Sequence, residues 1–237
     1  MARESVITSV KCSWFKVCPA GARKPGWRLA WVLLLAGAAP AASLDLTSAI
    51  RGIEQRYNRP RTMALRFEQT YRVPGRPPRT ESGKLYLRRP RRMRWDYENP
   101  PGKLFLSDGN DVYFYSPAAN RVEKMPLKRS GDLRTPLAFL MGRVNLRRDF
   151  REFRSRPEGA DLHITALPKS DRAPYARVEF VVNSSHQIRR LVVVGQDRSV
   201  MEFRFAEEKV NPPLRAGLFQ FHLPEGAEFV DLSQEMQ

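Results

Sequence analysis

Few side chains in this chain of 237 residues stand where they could do chemistry. His163, His186 and His222 fall in three separate strand or turn segments, with no His-x-x-x-His or Glu-x-x-His spacing. Metal ligands must converge on one ion, so no metal site is expected. The two cysteines, Cys12 and Cys18, both lie close to the N-terminus, which leaves the rest of the chain without a disulfide framework or a thiol nucleophile. No Gly-x-Ser-x-Gly elbow occurs. Gly21 to Gly26 has the glycine spacing of a phosphate loop, but Trp27 follows where a lysine is required. Asp96 and Glu98 are close in sequence, and such a pair reads as a solvated face before it reads as an acid and a base. Neither an enzyme nor a cofactor is expected.

The one concentrated feature is basic. Arg88-Arg89-Pro90-Arg91-Arg92-Met93-Arg94 holds five arginines in seven residues. Most of them read as a solvated edge that discourages strand pairing. Arg89 differs by parity, because it falls on the face of Leu85 and Leu87, opposite to Tyr86 and Arg88. If the leucine face is concave, the guanidinium points inward at the rim. There it must find acceptors or cost several kcal/mol. The unpaired carbonyls of a helix end or covering loop would serve, and the segment around 133–142 is the expected source. Arg89 is thus the candidate lid latch.

The chain carries a formal +16, from 41 basic and 25 acidic side chains. Residues 1–28 hold six basic residues and one acid, and Leu29 to Ala39 is an apolar run of 11. Pro40-Ala41-Ala42-Ser43 then places small residues at −3 and −1 of a cleavage site. This is the pattern of a secretory signal peptide, too short to span a bilayer. The expected division is a signal over 1–42 and one domain over 43–237, with a net +11 once the signal is removed. In an exported domain that charge points to anionic lipid or protein surfaces rather than nucleic acid.

The elements that must position Arg89 are mostly strands. Leu46, Ala49, Ile50, Ile53 and Tyr57 give helical periodicity over 45–58, capped by Asp45 or Thr47 and ended at Arg59-Pro60. Period-2 runs follow at 63–68, 84–89, 93–97, 104–106, 112–115 and 122–125, with Asp108-Gly109 marking a hairpin. Thr135-Pro136 through Gly142 predicts a short apolar helix. Strands are expected again at 150–154, 161–167, 176–182, 187–194, 199–205 and 218–223. These short runs are mostly sequential and so mostly antiparallel, and a sheet of even ten such strands would be about 48 Å wide. The helix expected over 45–58, about 14 residues, is only about 21 Å long. The sheet must therefore curl on itself, with the helices over its opening. The expected inner lining is Leu65, Phe67, Leu85, Leu87, Met93, Trp95, Leu104, Leu106, Phe139 and Leu140.

The same residues resemble a known family. Gly83 to Pro90, Met93-Arg94-Trp95, Pro100, Ser107-Asp108-Gly109, Val112 to Tyr115 and Thr135-Pro136 run collinear with the periplasmic outer-membrane lipoprotein carrier family, LolA type. Phe67-Glu68-Gln69 and Phe219 to Gly226 extend the match to about 45–231. The resemblance implies a mostly β fold with a helical lid: an incomplete antiparallel β-barrel, or half-barrel, enclosing a hydrophobic cavity. It implies that the cavity takes acyl chains of lipoproteins released by an ATP-driven inner-membrane transporter and hands them to an outer-membrane acceptor. A periplasmic monomer is expected. Arg89 would then bond lid backbone, with Met93 and Trp95 at cavity-rim and lining positions and Phe139 and Leu140 in the lid helix. The Val73–Thr80 loop and the arginine density around Pro90 depart from the family pattern. A carrier of another lipid or acyl glycolipid, or a lipid-sensing module of the same fold, is the alternative.

Overall fold

The computed structural model describes residues 45–127, 144–171 and 173–233. The expected signal over 1–42 and the expected helix with Phe139 and Leu140 lie outside the described residues.

Helix α1 (Leu46–Asn58) begins at Asp45, whose carboxylate accepts from Ser48 N at 3.1 Å. Of the two cap candidates, Asp45 is the one used. Ala49, Ile50, Ile53 and Tyr57 form its buried stripe, and Leu46 packs against the same cluster. Pro60, without an N–H, ends the helix.

Among the described residues, twelve strands form one sheet: β1 (Thr62–Arg72), β2 (Arg79–Arg88), β3 (Arg92–Asn99), β4 (Leu104–Asp108), β5 (Asp111–Ser116), β6 (Arg121–Pro126), β7 (Phe150–Glu158), β8 (Asp161–Pro168), β9 (Tyr175–Val182), β10 (Ile188–Gly195), β11 (Val200–Val210) and β12 (Glu228–Asp231). A one-turn helix, α2 (Leu146–Asp149), precedes β7. The order across the sheet is β12-β6-β5-β4-β3-β2-β1-β11-β10-β9-β8-β7. Every pairing is antiparallel except β12 with β6. The sheet is open: β12 and β7 are its two edges, so the fold is a curved open sheet and not a closed barrel.

Cross-strand layers line one face. Met63, Leu87 and Met93 are in register, as are Leu65, Leu85 and Trp95, and then Phe67, Gly83 and Tyr97. The face is concave. Phe67 and Trp95 stand two strands apart, about 9.6 Å in a flat sheet, yet their ring centroids are 4.5 Å apart. Trp95 also reaches Phe203, three strands away, at 5.7 Å. Helix α1 lies against this face, in one buried cluster with residues of β1–β3 and β8–β11. Gly83 is required here, since a Cβ would fall on the carbonyl oxygen of Asp96.

Two sequence expectations are corrected. The segment 218–223 is not a strand. Ala216–Phe219 is a 3₁₀ turn, and Phe221 stacks on Tyr113 at 4.4 Å. This segment lies against the outer face of β3 to β5. Only 228–231 joins the sheet, as β12. The other correction concerns β4. Trp95 pairs with Phe105, whereas Leu104 and Leu106 pair with Asp96 and Arg94. Leu104 and Leu106 therefore point to the outer face, with Leu106 fully buried there. The alternation Leu-Phe-Leu fits either parity, and only the pairing with β3 settles it.

Candidate functional site

Leu65, Phe67, Leu85, Leu87, Met93 and Trp95 come together on the concave face, each no more than 6% exposed. The Trp95 indole N–H meets the Met93 sulfur at 2.8 Å, which gives a buried donor an acceptor inside an apolar layer. Phe105 of β4 and Phe203 and Phe205 of β11 complete this lining. Phe203 and Phe205 were legible as a period-2 pattern with Met201, whereas Phe105 was hidden by the parity of its neighbours.

Arg89 sits one residue beyond β2. Its backbone N–H bonds Arg61 O at 2.9 Å, and its guanidinium donates to the carbonyl of Tyr57 in the last turn of α1. That carbonyl needs an outside donor, because its helical partner would be Arg61 N, which instead bonds Asn211 Oδ1 at 2.8 Å. A cation at a helix C-terminus also meets the negative end of the helix dipole. Arg89 is half-buried, and loss of water pulls its pKa below the ordinary arginine value. The inward guanidinium inferred from parity thus finds a helix-end carbonyl, supplied by α1; the 133–142 segment lies outside the described residues.

The same turn is held from its other side. Glu208 of β11, whose side chain is 1% exposed, binds Arg56 at 2.6 Å and accepts from the Tyr57 hydroxyl at 2.9 Å. Ile188 N donates to that hydroxyl at 3.0 Å. Burial first, and then the Glu208 charge, push the Tyr57 phenol far above its ordinary value. A buried carboxylate is costly unless paired and hydrogen-bonded, and here α1 supplies both partners. Asn58 adds a reciprocal pair of 2.7 Å bonds to the backbone of Val144. Sequence spacing gave no sign of Glu208, because its partners are about 150 residues away.

The remaining arginines of the cluster divide. Arg88 and Arg94 face outward and donate to Leu214 O and Leu218 O, and Arg88 also lies 5.2 Å over the Phe219 ring. They hold the C-terminal segment on the outer face. Asp96 pairs with Arg94 at 2.7 Å and Glu98 with Lys84 at 3.0 Å. Hydrogen bonds from Lys84 and Arg66 pull Glu98 below the usual carboxylate range. These carboxylates are thus ion-paired on the solvated side. His163 is buried against Glu179 at 2.9 Å. Among the described residues, no cluster of three or more metal-ligating side chains is present.

A curved sheet whose apolar concave face is covered by one amphipathic helix, with a cation fastened to the helix end, defines the class of fold. The family model described as "Outer membrane lipoprotein carrier protein LolA" matches residues 58–222, and the chain belongs to that family. An outer-membrane lipoprotein carrier protein of Nitrosomonas europaea is 28% identical over 184 residues, 77% of this chain and 89% of the relative. One of Methylibium petroleiphilum is 29% identical over 204 residues, 84% of this chain and 96% of the relative. The crystal structure of a LolA superfamily protein from Nitrosomonas europaea superposes with a TM-score of 0.43 at 10% identity, over 76% of this chain and 99% of that one. Membership rests on the sequence matches.

Proposed function

We propose that this protein is a periplasmic carrier that shelters the acyl chains of lipoproteins on its concave face and passes them to an outer-membrane acceptor. An ATP-driven transporter in the inner membrane would load it, since long acyl chains cannot cross water exposed at about 0.8 kcal/mol per methylene. Residues 1–42 would act as a cleaved export signal and 43–237 as a single monomeric carrier domain. The reaction is one of binding and release, with no bond made or broken.

The observation that carries this reading is the pairing of a buried apolar face with Arg89 on the C-terminal carbonyl of the helix covering it. A face so buried admits a ligand only if its cover moves, and Arg89 holds that cover by a polar contact at its rim. Leu65, Phe67, Leu85, Leu87, Met93 and Trp95 would line the acyl site, Arg89 would latch α1, and Phe139 and Leu140 would add apolar surface from a lid helix. The test is native mass spectrometry of the protein taken from periplasm. A co-purifying triacylated polypeptide is expected; a ligand-free protein, with or without the inner-membrane transporter active, would refute the reading.

A further inference from the structure

The concave face has a polar end that the carrier reading does not use. The pairing of Gln69 with Glu81 and Phe203, of Tyr97 with Lys103, and of Phe105 with Phe114 places all of them on the side of Phe67 and Trp95. Phe67 meets the Tyr97 ring edge-on at 5.1 Å, and there the apolar lining stops. The Lys103 ammonium lies 4.4 Å from the centre of the Tyr97 ring and 5.6 Å from that of Phe114, and binds Glu81 at 2.6 Å. The side chains of Lys103 and Glu81 keep 18% and 23% exposure. Eight residue steps separate Glu81 in β2 from Arg89 just beyond its end, about 26 Å along the strand direction. The fastened helix end and this cation thus stand at opposite ends of one apolar strip.

Resting on the carrier reading, we propose that this end is a head-group subsite, in which Lys103 donates to an ester or amide carbonyl of an acylated ligand. An ammonium has three donors, and Glu81 takes one. Glu81 also cancels the charge, so an incoming anion would have to displace a carboxylate already bonded at 2.6 Å. A neutral carbonyl needs only a second N–H and leaves the ion pair intact. The aromatic faces hold the cation in place and continue the apolar surface up to the head group. The chemical class selected is therefore lipid whose chains are joined through esters or amides, in preference to free fatty acids.

The test uses three probes of equal chain length: a synthetic triacylated lipopeptide, its analogue with ether and alkyl links in place of the carbonyls, and the free fatty acid. Their affinities are measured for the wild-type domain, Lys103→Met, Lys103→Gln and Glu81→Gln, with thermal melts as the check on folding. Lys103→Met should weaken the lipopeptide about tenfold, the scale of one charge-assisted hydrogen bond, and leave the carbonyl-free analogue unchanged. Lys103→Gln, which keeps a donor, should lose less. Glu81→Gln frees the positive charge and should tighten the fatty acid selectively. Equal losses for both lipopeptides, or no loss, would overturn the subsite and leave the carrier reading standing. A wild-type domain that binds none of the three probes would overturn both.

Discussion

Arg89→Leu isolates the proposed latch, because it removes the guanidinium and keeps an apolar side chain at the rim. The bond to Tyr57 O forms with the covering helix seated, so its loss penalises the closed, empty state and spares the open one. A charge-assisted hydrogen bond contributes about 1.5–3 kcal/mol. Arg89 is half-exposed, so the lower end applies, which is close to a factor of ten in an equilibrium. On the proposed cycle that factor passes to the ligand: if closure competes with loading, weaker closure raises acyl affinity about tenfold and slows release to match. The assay is titration of the domain with a fluorescent triacylated lipopeptide, followed by timed hand-over to acceptor vesicles. Hydrogen exchange at the last turn of α1 reports latch opening directly. Arg89→Lys, which can still donate to one carbonyl, should fall between. If Arg89→Leu folds and shows wild-type affinity and hand-over, closure and loading are not linked through this contact.

Tyr57→Phe removes the hydroxyl that bonds Glu208 and Ile188 N and should cost about 1–3 kcal/mol in urea denaturation. Tyr57 and Tyr97 titrate above the ordinary phenol value, each chiefly through burial. Their stability contribution is therefore whole below about pH 10 and is lost as pH rises beyond it; the wild-type denaturation midpoint should fall above pH 10 more steeply than that of Tyr57→Phe. Trp95→Glu should abolish uptake of an apolar fluorescent probe; undiminished uptake would count against acyl binding on this face. The double change Arg88→Ala with Arg94→Ala should release the C-terminal segment, read as faster proteolysis within 212–223, without altering lipopeptide affinity.

Most of the strands and α1 were legible because they are one-sided. Alternation in 63–67 and 85–87 names the face, and helical spacing at Ala49, Ile50, Ile53 and Tyr57 names the stripe that meets it. The inward aim of Arg89 followed from the same parity. Leu104 and Leu106 misled because a strand apolar on both sides carries no parity signal; the outer face is greasy there because Phe219 and Phe221 cover it from more than a hundred residues away. Long-range polar pairs were illegible for a related reason. Glu208 and Glu81 look like surface acids until topology sets them beside Tyr57 and Lys103. The pattern of a chain records which way a side chain points, while its partner is set by strand order.

The proposed hand-over, made without an energy source, faces a physical difficulty that a movable cover would meet. A bare apolar groove filled from water would gain about 0.8 kcal/mol per methylene, and a carrier of several long chains would never release them. The concave face is not bare: Leu85 and Met93 are wholly buried and Trp95 nearly so, against one another and in one cluster with α1. On the proposed cycle an incoming chain displaces this cover rather than water, so the net gain is the difference between two apolar contacts. Release restores the helix to the face, with the Arg89 and Glu208 bonds at its last turn. Affinity is then set by how well the protein covers itself. Loosening the cover should tighten cargo binding, and packing the cover better should weaken it, the reverse of what enlarging a fixed pocket would do. Ala49→Gly thins the covering helix at a fully buried position and provides the check. It should lower the melting temperature and raise lipopeptide affinity together, and a loss of both would mean that α1 belongs to the pocket wall and not to its cover.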